Sequence, residues 1–298
     1  MSKWTANDLP DLTGRTVIVT GANSGIGLAT CRALAGVGAH VVLAVRDLDR
    51  GRAAAVTVPG SSEVRRLDLA DLSSVREFAA GWGDEVSILI NNAGIMIVPE
   101  GRTADGFERQ FGTNHLGHFA LTNLLLPRIT DRVVTVSSQA HKWDQGRMYL
   151  DNPNLTGQYT PARAYAQSKL SNLLFTSELQ RRLTRAGSPV RAYAAHPGYA
   201  ATSLQSHSGS RVMGALMQVG NAVFAQSAES GALPTLYAAT QDLPGDSFVG
   251  PDGLREMRGA PKLVDRSAAA ENVETAARLW DLSEELTGVA FPLTAQNP

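Results

Sequence analysis

Six short runs of aliphatic and β-branched residues, TVIVT (16–20), HVVLAV (40–45), VRRLDL (64–69), VSILI (86–90), RVVTVS (132–137) and VRAYAA (190–195), alternate with stretches of helical period. This alternation restricts the fold more than any other feature of the chain. Each run has the length and composition of a strand covered on both faces. The intervening segments, GIGLATCRALAGVG, LSSVREFAAGW, roughly 105–128 and roughly 161–186, are long enough to cross back over a sheet as helices. Repetition of strand and helix predicts an α/β fold, a doubly wound parallel sheet with helices on both faces. SFVG (247–250) supplies a seventh strand at an edge. No Ser/Gly/Pro-rich linker or internal repeat divides the chain. Residues 1–298 therefore read as a single domain, with a C-terminal extension over about 251–298.

Charge narrows the partners. Lys plus Arg number 27 against 28 Asp plus Glu, a formal net charge of −1, so no global basic field draws the chain to nucleic acid or an anionic membrane. Nowhere do about eighteen apolar residues occur in succession, and MSKWTANDLPDLTGR at the start holds no signal-peptide core. The expectation is a cytoplasmic protein without a membrane span. The single cysteine, Cys31, allows neither an intrachain disulfide nor a thiolate metal cluster, and reads as a small buried residue of the first helix.

Immediately after the first strand comes TGANSGIG, with Gly21, Gly25 and Gly27 opening a helix. In a dinucleotide site the first glycine permits a tight turn, the second lets the backbone approach a pyrophosphate, and the third lets the helix pack close to the strand. The helix N-terminus then faces the phosphates. Glycines at such a place are also ordinary turn residues, so the end of the second strand matters. There VVLAVRD puts Val45 where a ribose-binding carboxylate would stand and Arg46 next to it. Asp47 reads as a helix cap. An arginine at this position suits a 2′-phosphate, which favours NADP(H), with NAD(H) still usable.

YAQSK (165–169) places a tyrosine one helical turn before one of only four lysines in the chain. Such a pair also occurs on solvated helix faces, and its neighbours must decide. They do so through a resemblance. TGANSGIG, LDL (67–69), NNAG (91–94), YAQSK and HPGYAAT (196–202) stand in the order of the corresponding motifs of the short-chain dehydrogenase/reductase family, which the chain resembles over essentially its whole length. TNHLGHFALT, SSQAH, GPDGLREMRG and LWDLSEELTG are similar to the retinol dehydrogenase and protochlorophyllide reductase branch. Protochlorophyllide reductases carry cysteines around their pigment, and Cys31 in the cofactor helix makes pigment reduction a poor fit.

The resemblance implies an NAD(P)-binding Rossmann fold and a small-molecule carbonyl or alcohol substrate. It implies that Asn114, Ser138, Tyr165 and Lys169 are catalytic. It further implies that Gly21, Asn23, Ser24, Gly25, Ile26, Gly27, Arg46, Asp68, Leu69, Asn92, Ala93, Gly94, Tyr165, Lys169, Pro197, Gly198 and Thr202 bind cofactor. Tyr165 would be the acid/base and Ser138 would hold the substrate oxygen, although neighbouring strand residues face opposite sides and Ser137 competes for that place. A phenol with an ordinary pKa near 10 needs that value lowered by about 2–3 units to work near neutrality, and the Lys169 ammonium is expected to do so. His115 and His118, three apart on a helix, lack further ligands at metal spacing, so no metal site is expected.

Two substrate-side features follow. The polar insertion between Ser138 and Tyr165 is expected to form a wall of the pocket. SRVMGALMQVGNAVFAQ (210–226) carries an apolar helical stripe in which Met213 and Met217 would touch substrate, part of a lid over about 203–226. A lipophilic aldehyde, ketone or alcohol is the expected substrate. The other class compatible with the fold, a non-catalytic NADP(H)-binding regulator, would have little reason to keep all four catalytic residues. A homo-oligomer is compatible with the sequence.

Overall fold

In the computed structural model, which describes residues 3–199 and 227–293, the apolar runs become strands of one eight-stranded sheet. β1 (Thr16–Thr20), β2 (His40–Val45), β3 (Ser62–Arg66), β4 (Val86–Asn91), β5 (Ile129–Val136), β6 (Arg191–Ala195) and β7 (Phe248–Pro251) pair in parallel. A short β8 (Pro261–Leu263) closes one edge antiparallel. The order is β3-β2-β1-β4-β5-β6-β7-β8. The chain therefore leaves β1 toward one edge and returns at β4 toward the other, and the loops parting there open the crevice in which such sheets bind ligands.

Strand residues alternate between two cores, as the pleat requires. Val17 and Val19 of β1 join Val41, Leu43, Ile88 and Ile90 under α1 (Gly25–Gly36) and α7 (Ala228–Thr240). Ile18 joins Val42, Leu89 and Val133 on the opposite face. These pack under α3 (Leu72–Ala80), α5 (Gly117–Leu125) and α6 (Pro161–Arg185). Cys31 is fully buried in α1.

Helix starts obey local chemistry. The Asp47 carboxylate caps α2 (Leu48–Ala55), accepting from Asp49 N and Arg50 N, both at 3.0 Å. Thr160 caps α6 ahead of Pro161, a residue whose missing N–H costs nothing in a first turn. The segment before α5 is irregular: a single turn α4 (Arg109–Phe111) runs into a π turn over Gly112–Leu116.

Several boundaries depart from the sequence reading. β3 ends at Arg66, so Asp68 and Leu69 lie just beyond the strand. β8 has no apolar run to announce it; it begins with proline and pairs with the Pro251 end of β7, as edge positions permit. The C-terminal residues contribute α8 (Val273–Thr287), whose Trp280 stacks on Phe175 at 5.7 Å and meets Phe119 edge-on at 4.9 Å. Burying an indole this fully stabilises by about 2–3 kcal/mol, enough to hold α8 against α5 and α6. Thr202, Met213, Met217 and the proposed lid at 203–226 lie outside the described residues.

Candidate active site

The glycine loop leaves the carboxyl end of β1. Gly21 has φ 65°, and a Cβ there would lie 2.9 Å from Cα and Cβ of Ala93 at the end of β4. A Cβ on Gly27 would stand 2.6 Å from Asn92 Nδ2 and 2.7 Å from the Gly21 carbonyl oxygen. Both glycines are thus demanded by close approach of α1 to the ends of β1 and β4. Thr20 ties the same corner together. Its hydroxyl accepts from Asn92 N and Ala93 N, both at 2.9 Å, while Asn92 Nδ2 donates to the Thr20 carbonyl at 2.8 Å.

At the other end of the crevice, α6 brings Tyr165 and Lys169 under the end of β5. Both are buried. Lys169 Nζ lies 5.7 Å from the Tyr165 ring centroid and donates to the Val136 carbonyl at 3.1 Å. The Ser137 hydroxyl donates at 2.7 Å to the Lys169 main-chain carbonyl, so it faces the helix backbone. Ser138 is the other serine: its hydroxyl accepts from Ala140 N at 3.1 Å and lies near enough to Tyr165 to lower the phenol's pKa. The backbone therefore separates the two serines.

Asn114 sits in the π turn, a deformation that recurs where a helix presents a functional group. Its Oδ1 accepts from Ile95 N at 2.8 Å, and its Nδ2 donates to the Ile95 carbonyl at 2.9 Å and Ser168 Oγ at 2.9 Å. The turn also directs the Asn114 carbonyl at His118 Nδ1, 3.0 Å away, while His118 Nε2 meets Thr20 Oγ1 at 2.9 Å. A carbonyl only accepts, so Nδ1 carries the proton. The Thr20 oxygen already accepts two amides, so its own proton goes to Nε2. Burial pushes His118 down to about 4, in keeping with this neutral tautomer.

Two further histidines link loops near the site. His141 Nδ1 donates to the Ser138 carbonyl at 2.7 Å while its Nε2 accepts from Ser267 N, and burial pushes it down to about 4. His196 Nδ1 accepts from Gly198 N at 3.2 Å, leaving Nε2 to face Glu256 Oε2 at 2.9 Å. That bond holds the Glu256 carboxyl below its usual range. His115 Nε2 lies 2.9 Å from Ser283 Oγ on α8. Among the described residues no group of three or more His, Cys, Asp and Glu side chains could hold a metal ion.

The Tyr165 phenol lies above its ordinary value, not below it. Burial pushes the phenol up to about 12, and the nearby Ser138 hydroxyl only partly counters it. The same burial pushes Lys169 down to about 8. Desolvation penalises phenolate and ammonium alike, and it is the largest cause of the shift at both groups. Near neutrality the pair is a protonated phenol beside an ammonium.

The described residues expected to bind cofactor are placed as follows. Arg46 is exposed beyond the end of β2, and the Asp47 carboxylate is occupied by its cap. Asp68 Oδ1 accepts from Ala70 N at 3.0 Å, and Leu69 is buried where α5 passes close at Gly117. A Cβ on Gly94 would reach within 3.2 Å of Asn114 Oδ1 and 3.6 Å of Lys169 Nζ, so Gly94 links the two ends. Gly198 has φ 67° and is overlain by the Met257 carbonyl.

The profile of the short chain dehydrogenase family matches residues 15–150. Retinol dehydrogenase 13 of Homo sapiens is 42% identical over 309 residues, covering 96% of this chain and 88% of its own length. A crystal structure of an uncharacterised protein from Mycobacterium paratuberculosis shares 57% identity, covers 98% of this chain and 100% of its own, and superposes with a TM-score of 0.86. A structure described as an NAD(P)-dependent gluconate 5-dehydrogenase of Beutenbergia cavernae, with bound NADP, is 27% identical, with coverage of 77% and 91% and a TM-score of 0.58. The chain belongs to the short-chain dehydrogenase/reductase family. Within it the chain falls in the retinol dehydrogenase-like branch, and it is an NAD(P)-dependent oxidoreductase acting on CH–OH donors.

The residues present fit the nicotinamide cofactor of this dehydrogenase family. Lys169 is a buried ammonium that spends one hydrogen bond on protein, leaving donors for hydroxyls such as those of a ribose. Thr20 and His118 are the positioning residues that motif reading passed over. The signal for Thr20 was a hydroxyl ending an otherwise apolar strand. No helix of the described residues is long and apolar enough to cross a membrane.

Proposed function

We propose that this dehydrogenase prefers NADP(H) and interconverts a lipophilic alcohol with its aldehyde or ketone, with Tyr165 as the acid/base. The observation that carries this reading is the buried Tyr165 phenol, with the Lys169 ammonium 5.7 Å from its ring centroid and the Ser138 hydroxyl near enough to lower its pKa. The nicotinamide supplies or takes up the hydride.

Ser138 and Tyr165 hydroxyls both donate to the substrate oxygen as negative charge develops on it, from positions held by β5 and α6. Tyr165 holds its proton near neutrality and can release it to the forming alkoxide, which favours reduction. Lys169 keeps a positive charge behind the phenol and holds ribose hydroxyls. Asn114 fixes the Gly94–Ile95 turn through its paired bonds to Ile95. Gly21, Asn23, Ser24, Gly25, Ile26 and Gly27 cradle the pyrophosphate, and Asp68 and Leu69 border the adenine. Asn92, Ala93 and Gly94 line the crevice floor, and Pro197, Gly198 and Thr202 border the nicotinamide. Met213 and Met217 of the proposed lid supply an adaptable apolar surface for a fatty, steroid-like or retinoid-like substrate.

Arg46 supports the cofactor preference, since it is exposed at the ribose end while Asp47 is engaged in its cap. Steady-state kinetics with a panel of aldehydes and ketones, each with NADPH and NADH, tests both parts. The expected kcat/KM ratio is about tenfold or more in favour of NADPH, falling toward one in Arg46→Ala. A ratio near one in the unmutated protein refutes the preference. Absence of turnover with every carbonyl refutes the activity.

A further inference from the structure

Between Ser138 and α6 the chain makes a short 3-10 segment, Gln139–Gly146, that breaks its own helical path. Trp143 turns to an extended conformation (φ −70°, ψ 164°), and Asp144, Gln145 and Gly146 follow with φ of 50°, 58° and 66°. Consecutive left-handed residues persist only where their surroundings over-determine them. Here the Asp144 carboxylate accepts from the Tyr149 hydroxyl at 2.7 Å and from Arg163 Nε at 3.2 Å, which braces the arch to the first turn of α6.

The braced arch holds an indole partly in the open. Trp143 is 47% exposed, whereas Trp82 and Trp280 are 4% and 1% exposed. Its ring centroid lies 6.2 Å from that of Tyr165, with the planes at 56°. Other apolar side chains are exposed on this surface, but Trp143 is the one whose ring meets Tyr165, where a ligand held at the phenol would reach it.

We infer that Trp143 is a specificity-determining residue, the wall on which a flat unsaturated group attached to the reacting carbon packs. The inference rests on the proposed reaction at Tyr165 and names the substrate feature that this site selects. Once the Ser138 and Tyr165 hydroxyls hold the substrate oxygen, the substituent on the carbonyl carbon must extend along the neighbouring surface. A group conjugated to the carbonyl is coplanar and rigid, so it presents a π face to the indole and loses little conformational freedom on binding. A short saturated chain reaches little of that surface.

The test compares 3-phenylpropenal, its saturated analogue 3-phenylpropanal, and propanal, each with NADPH. Trp143→Ala should lower kcat/KM for 3-phenylpropenal about tenfold, through KM, lower 3-phenylpropanal less, and leave propanal within about twofold. Trp143→Phe, which keeps an aromatic face, should retain most of the discrimination. Equal losses on all three substrates, or no loss on any, would overturn the assignment, the first by making Trp143 a mere support for Tyr165. A binding readout separates this from the reaction itself: with NADP⁺ present, cinnamyl alcohol should shield the exposed indole from acrylamide quenching in the wild type and not in Trp143→Phe. Shielding without any aldehyde turnover keeps the Trp143 wall and sinks the proposed reaction. Turnover without shielding sinks the wall and keeps the reaction.

Discussion

At the glycine-loop end of the crevice the wall is backbone, brought close because Gly21 and Gly27 have no side chain to keep Ala93 and Asn92 away. At the other end the wall is side chains, a half-buried Ser138 after β5 and the buried Tyr165 and Lys169 of α6. The first surface is sensitive to volume and indifferent to side-chain chemistry, because its working groups are amides. The second tolerates the loss of an atom or two in packing but not the loss of a proton or charge. Neutral histidines serve this second surface: His118 spans the Asn114 carbonyl and Thr20, and His141 spans the Ser138 carbonyl and Ser267.

Tyr165→Phe probes that contrast most strongly, since it keeps ring and volume and deletes one hydroxyl. Turnover should fall at least a hundredfold, about 2.7 kcal/mol or more in the barrier, with NADPH affinity unchanged within a few-fold. If more than about a tenth of the wild-type rate survived, Tyr165 would not be the acid/base.

Lys169→Met separates chemistry from packing at the same end. The buried ammonium has its pKa lowered from 10.5 to about 8, so the unfolded chain holds that proton more tightly than the folded one. Below pH 8 the folded state carries the whole penalty, roughly 3 kcal/mol, and between pH 8 and 10.5 stability rises as the folded-state proton is already lost. The Met variant should therefore melt several degrees higher at pH 7 while losing turnover, and should lack the wild type's gain in stability across that alkaline window. Activity has the opposite sign: reduction by the wild type should decline as pH rises through about 8. A variant that melts lower than wild type at pH 7 would show that Lys169 supports the fold.

Gly21→Ala tests the backbone end with a single methyl. The residue would have to keep φ 65° with its Cβ pressed on Ala93, which costs about 1–2 kcal/mol in stability and should weaken NADPH binding severalfold. Unchanged affinity, measured by fluorescence titration of NADPH, would mean that this corner need not be tight.

Legibility followed the same division. The glycine loop, the Asp47 cap and the limits of β1 and β2 were readable because each depends on a few consecutive residues. The choice between Ser137 and Ser138 was not, because it turns on which hydroxyl meets the Lys169 carbonyl across 32 positions of chain. β8 and the bracing of Trp143 through Tyr149 and Arg163 were hidden for the same reason.

By itself the sequence determined the doubly wound order of elements, the glycine corner and a Tyr165–Lys169 pair on one helix face, since period and steric allowance are local properties of the chain. Only the tertiary structure decided that this pair is buried, that the phenol is thereby pushed up to about 12 and the ammonium down to about 8, and that an exposed indole stands beside them. Desolvation depends on every neighbour packed around a group, and those neighbours come from strands and helices far apart in sequence.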